Sequence, residues 1–207
     1  MTKEKLKSGA ILQIPLPKNL GFAYAKYIDL IELNPNNNYP DLVRIYDFRS
    51  KDSNIDINNL NDKHLLFAPH LVGGLRPTIR KKLWKIIGQL SVNKEDTVIP
   101  HYKYSSTSTS TINELEKGEW CYIEDADISK KNHAPYNKIQ HLETIGAIGA
   151  ELLGIKIAMG LLKSEGKKIE DYFELNEYVE REFYAQVMKI PFYFEQPKNI
   201  RGKVILG

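Results

Sequence analysis

The chain has little cysteine, little net charge and no long unbroken apolar run, and each shortage closes off a class of protein. Its single cysteine, Cys121, rules out an internal disulfide, and with no Asn-x-Ser/Thr sequon present the expected compartment is a reducing cytoplasm. The formal charge of +3 over 207 residues is slight. Whole-molecule electrostatics therefore draw it to neither nucleic acid nor membrane, and any such case rests on local patches. Lys3, Lys5 and Lys7 make a basic start, but the apolar run that follows is broken by Pro15 and Pro17 and is too short for a signal peptide. The most apolar helical stretch, around 145–162, carries Glu151 and Lys156, so no membrane span is expected.

Catalytic and ligand motifs are missing as well. The histidines His64, His70, His101, His133 and His141 show neither HExxH nor cysteine-pair spacing, so no metal is expected. Gly73-Gly74 and Gly146-x-x-Gly149 lack the strand and lysine context that cradles phosphate; a turn and close packing explain them better, and no cofactor is expected. Cys121 alternates with Trp120 and Tyr122 in a strand-like run. That is the pattern of a buried thiol, not of a nucleophile, and no histidine is placed by sequence to activate it.

What is present is an ordinary globular composition, 42% hydrophobic and 27% charged, enough for one good core or two small ones. The stretch 83–102 organises the reading. Lys85-Ile86-Ile87 behind Trp84, and Thr97-Val98-Ile99 before Pro100, are short β-branched runs, and Asn93-Lys94-Glu95-Asp96 between them is turn chemistry. Ile79, Leu83, Ile86, Ile87 and Leu90 also fall at helical spacing, but Gly88 and the β-branched pair favour strands.

Before this stretch four strands are expected: Gly9 to Pro15, stopping at the prolines; Phe22 to Leu33; Leu42 to Asp47; and His64 to Val72. In the second, Phe22, Tyr24 and Lys26 share one face and Ala23, Ala25 and Tyr27 the other. The Asn/Pro-rich run 34–40 is a loop, 49–62 is a connection with one helical turn near Leu60, and Gly73-Gly74 marks a tight reversal. After it, the Ser/Thr tract 105–111 reads as a linker or long loop and Glu119 to Ile123 as one more strand. Lys138 to Lys163 and Asp171 to Val187 read as helices, the first with a small-residue stripe at Gly146, Gly149 and Ala150 for close packing. Phe192 to Phe194 and Val204 to Leu206 pair as a closing hairpin. The expected fold is α+β: a curled antiparallel β-sheet or small barrel of about six to seven strands, followed by two C-terminal helices. Residues 1–104 form a β-rich domain, 105–118 a linker or long loop, and 119–207 a strand and two helices packed on the first.

Three pieces in order carry a family resemblance: Gly9-x-Ile11-x-x-Ile14-Pro15-Leu16 with Gly21-Phe22-Ala23-Tyr24, then Val43-x-Ile45-Tyr46-Asp47, then Trp84-x-Ile86-Ile87-Gly88 with Ile99-Pro100. Together they resemble the immunity protein 26 (Imm26) family of bacterial polymorphic toxin systems, over about Gly9 to Tyr104. The resemblance implies a β-rich protein without catalytic residues that neutralises a cognate toxin by direct binding. It supplies no site residues, because the matching positions look structural.

Two surface patches offer themselves. Segment 164–190 holds seven acids against four bases, and its face suits a basic partner. With aromatic anchors added, the candidate partner contacts are Tyr46, Tyr102, Tyr104, Glu174 and Glu177. The alternative reading is a nucleic-acid-binding barrel using Arg80, Lys81, Lys82 and Trp84, set against the plainer one of a charged edge that discourages aggregation.

Overall fold

The computed structural model describes residues 6–35, 37–105 and 118–205. Strand β1 (Ala10–Pro15) ends at the first proline, as its missing N–H requires. A turn with positive φ at Lys18, Asn19 and Gly21 returns the chain into β2 (Phe22–Asp29). The strand does not continue to Leu33. The Asp29 carboxylate accepts the Ile31 N–H at 3.0 Å and starts the short helix α1 (Leu30–Leu33). Strand β3 (Asp41–Ser50) is longer than expected and pairs with β2 from Asp29↔Asp41 to Phe22↔Ser50, with an irregularity between Ala23 and Ala25.

The fourth strand is shorter than the run 64–72. Only β4 (His70–Gly73) pairs regularly, because Pro69 interrupts the ladder and Leu65 makes one isolated bridge to Tyr46. Gly73-Gly74 does not reverse a hairpin. Gly74, at φ +72°, opens helix α2 (Leu75–Arg80), which carries Pro77 in its first turn, where a missing N–H costs nothing. The strand reading after Trp84 is confirmed in β5 (Lys85–Gln89), antiparallel to β1. Thr97 to Ile99, expected as the next strand, is a turn: Asp96 N–H donates to the Asn93 carbonyl at 3.2 Å and Val98 N–H to that of Glu95 at 3.3 Å. The sixth strand is β6 (Tyr102–Ser105), which with β7 (Trp120–Ile123) and β8 (Lys131–His133) forms a separate three-stranded sheet.

The first helix expected in the second half begins twelve residues late. Helix α3 (Tyr136–Ile139) is one turn, Gly146 sits at φ +142°, outside any helix, and β9 (Ile148–Gly149) pairs parallel to β4 before α4 (Ala150–Ser164) starts. Among the described residues the main sheet therefore runs β5-β1-β2-β3-β4-β9, open and mixed, with no closed barrel. Of the expected stripe Ala150 does pack in the main core, while Gly146 and Gly149 face open space; the close-packing glycine of α4 is Gly160, where a Cβ would lie 2.2 Å from the Phe67 ring. Helix α5 (Tyr178–Lys189) starts seven residues late because Leu175 turns left-handed at φ +57° after a 3₁₀ turn at Ile169–Asp171. Phe173 is still buried, but from the connection. Among the described residues the expected closing hairpin does not form: Tyr193 N–H bonds the Leu66 carbonyl and Ile205 N–H that of Lys138, and Leu206 lies outside them. Most of the Ser/Thr tract also lies outside them.

Strand alternation gives the sheet two covered faces. Ala23, Ala25, Tyr27, Val43, Ile45 and Val72 join the core built by α4, α5 and Trp84. On the far face Tyr24 and Tyr46 pack with Leu60 and Leu90, while Ile28, Leu42 and Leu71 pack with Tyr102. Burial on both sides is why β2 reads as a nearly continuous apolar run. Among the described residues no helix is long and apolar enough to cross a membrane.

Candidate functional site

Ionisable side chains gather at two places inside the fold. On the far face Lys26 of β2 and Arg44 of β3 stand side by side, because Lys26 pairs with Arg44 in the ladder. Asp96 reaches in from the 91–99 loop and meets Lys26 Nζ at 2.5 Å and Arg44 Nε at 3.2 Å. Lys26 also donates to the Ser91 carbonyl at 2.7 Å, and Asp96 accepts the Asn93 N–H at 3.0 Å. These inward bonds hold 91–99 as a loop in place of the expected strand. Burial, with Asp96 second, pushes the Tyr46 hydroxyl up to about 12, so it stays protonated.

On the α4 face Lys156, set among the apolar buried residues of the helix, donates to Glu143 Oε2 at 2.6 Å and to His70 Nε2 at 2.9 Å. His70 Nδ1 lies 2.7 Å from the Ala68 carbonyl, which fixes the tautomer: Nδ1 donates and Nε2 accepts from Lys156. Burial, then the Lys156 charge, holds the His70 ring down at about 4, neutral. Burial alone would raise the Glu143 carboxyl, but Lys156, His70 and Lys103 together hold it at about 2. Lys103, pulled down to about 8 by burial, donates to the Gln140 carbonyl at 2.8 Å. A neutral imidazole beside a carboxylate and an ammonium has the ingredients of acid–base chemistry. It has no access: His70, Glu143 and Lys156 are 2%, 5% and 1% exposed. A cleft of about 350 Å³ between α2 and the start of α4 is lined by Gly73, Gly74, Thr78, Lys81 and Glu151, and none of the three reaches it. The cluster ties β4, the 143 segment and α4 together.

The five candidate contacts are not brought together. Tyr46 and Tyr102 are core residues in different clusters, the Tyr102 hydroxyl donating to the Pro69 carbonyl at 2.9 Å. Tyr104 is half-buried under Lys131, whose Nζ lies 4.5 Å from its ring centre. Glu174 and Glu177 are exposed at the entry to α5, Glu174 accepting from Asn176 at 3.1 Å. Next to them Tyr178, 68% exposed, is an aromatic that the sequence reading passed over. With the helix expected from Asp171, nothing in the sequence marked Tyr178 as the exposed first residue ahead of the inward Phe183 and Val187. Of the alternative set, Arg80, Lys81 and Lys82 are exposed at the C-terminal end of α2, but Trp84 is in the core and offers no ring for a base to stack on. Cys121 is buried, as expected. The β7–β8 register sets it opposite His133, with Sγ 3.5 Å from Nδ1, a neighbour that linear spacing did not place.

Residues 7–112, half the chain, match the family model described as Immunity protein 26, and the chain belongs to that family. No curated protein and no solved structure matches it. The match takes in all three motif pieces, and the positions that carry them are structural: Ile14 and Trp84 lie in the main core and Pro15 ends β1.

Proposed function

We propose that this member of the immunity protein family binds a cognate protein toxin of a polymorphic toxin system in the cytoplasm and neutralises it by steric occlusion, with no chemistry of its own. Inside the fold, the observation that supports this is the closure of both charge clusters: their ionisable groups are spent on one another, and recognition is left to the surface. A specific interface of this kind covers about 1,200–2,000 Å² in total, with aromatic anchors inside a charged rim. The surface at the entry to α5 has that make-up. Exposed Tyr178 directly follows exposed Glu177 in the chain, with Glu174 and Asp171 also exposed just before it, and this stretch suits a basic toxin surface; Tyr104 is a further contact. Tyr46 and Tyr102 support the fold beneath. The nucleic-acid reading keeps only its three exposed cations and gains no observation.

The test is co-expression of the chain with the toxin encoded beside its gene, together with a pull-down. Survival and a stable complex are expected. Cell death in the presence of folded protein would overturn the proposal, and survival without a complex would overturn occlusion as the mechanism.

A further inference from the structure

The last described segment, 200–205, lies across the three-stranded sheet as a strap. Val204 packs on Trp120, Ile139 and Leu142, and Gly202, at φ +64°, lies so close to Pro100 that a Cβ would approach it to 2.9 Å. The strap is held by hydrogen bonds from His101 N–H to the Gly202 carbonyl at 2.8 Å, from Gly202 N–H to Gln196 Oε1 at 3.2 Å and from Ile205 N–H to the Lys138 carbonyl at 3.1 Å. Two more go to imidazoles: Val204 N–H donates to His101 Nδ1 at 3.3 Å, and His141 Nε2 donates to the Lys203 carbonyl at 2.8 Å.

The two rings differ in what a proton does to them. His141 uses its N–H, and an added proton leaves that donor in place. His101 uses its lone pair, and a backbone amide has nothing else to offer it. We propose that His101 is a pH-operated latch: a proton taken from solvent onto Nδ1 turns the acceptor of the Val204 amide into a second donor, and the end of the strap lets go.

The ring stacks on Tyr122 of β7, centroids 5.3 Å apart. Charged groups face it from the β7–β8 turn, where Glu124 and Asp125 favour the proton, and from the strap, where Lys203 opposes it; burial outweighs them and holds the ring below its ordinary range. His141 is likewise held down by burial, against the Lys203 and Ile200 carbonyls and with Lys103. Neutral His101 is therefore the form present at neutral pH. The latch is closed there and opens as the pH falls below the ordinary histidine range near 6.5.

Hydrogen exchange of the peptide 200–205 in the full-length protein, corrected for intrinsic rates, tests this at pH 7.5 and 5.0. Protection in the wild type should fall about 3- to 10-fold at the lower pH, the equivalent of one net hydrogen bond. His101→Gln, whose amide oxygen accepts at any pH, should abolish the difference. Constant wild-type protection, an equal fall in His101→Gln, or an equal fall across α4 would each overturn the latch. Titration of the His101 ring nitrogens by NMR gives a second readout that needs no variant. The midpoint must coincide with that of strap exchange, and a mismatch also overturns it.

Discussion

The two faces of the six-stranded sheet are both dry, yet they are closed by different means. The α4 face is one continuous apolar core with a helix laid along it, and its buried charges bridge three remote segments at His70, Glu143 and Lys156. The far face is two smaller apolar clusters with a charge group between them, closed by loops and the small sheet. A helix carries its partners rigidly, whereas the 91–99 loop stays in place because Asp96 is drawn into the sheet. The α4 face should thus be the more costly to disturb.

The largest effect is expected from Lys156→Met, which strands Glu143 as an unpaired buried carboxylate and should cost about 3–5 kcal/mol in urea unfolding. Adding Glu143→Gln should recover a substantial part, and no recovery would mean that packing, not charge, is what Lys156 supplies. Asp96→Ala breaks the far-face group and should cost about 2 kcal/mol, less because Lys26 keeps the Ser91 carbonyl; a larger loss than Lys156→Met would reverse the comparison. Acid should loosen the α4 face in two steps. His70 has a folded value near 4, below its unfolded 6.5, so its neutral form contributes stability that is lost as pH falls from about 6.5 towards 4. Glu143, held near 2, loses its contribution as pH falls from about 4.5 towards 2. An acid titration of stability followed by circular dichroism checks both windows, and His70→Gln should flatten the first. Smallest of all, Glu177→Lys and Tyr178→Ala lie outside both faces and should shift stability by no more than about 0.5 kcal/mol, while toxin binding weakens at least tenfold in titration calorimetry.

Much of the near half was legible because its signals are local. Pro15 stops a ladder wherever it occurs, and the alternation through Phe22 to Tyr27 assigned both faces of β2 correctly. The misreadings arose where a distant partner decided. Thr97 to Ile99 has strand composition, but Asp96 is claimed by Lys26, 70 residues away in sequence. Lys156 read as a charge that spoils a membrane span; its partner His70, 86 residues away, makes it an interior residue. Helix onset in the second half was set by backbone at Gly146 and Leu175, where apolar spacing continues regardless of φ. For the surface, the charges of Glu174 and Glu177 were readable as exposed, but composition alone placed Tyr46 and Tyr102 among the contacts and passed over Tyr178, because an aromatic at helical spacing does not declare which side faces water.

The parallel pairing of β9 with β4 has a consequence in time. The family-matched stretch ends at residue 112, but the sheet it builds gains its last strand at Ile148–Gly149 and its covering helix only at 150–164. On the ribosome, β4 therefore waits with an open edge, and the face carrying Ala25, Val43 and Ile45 stays uncovered, until the chain has grown well past the family region. A nascent chain stalled there is an aggregation hazard of the kind that exposed strand edges create. The protein becomes safe to release only after its second half has emerged and closed the first.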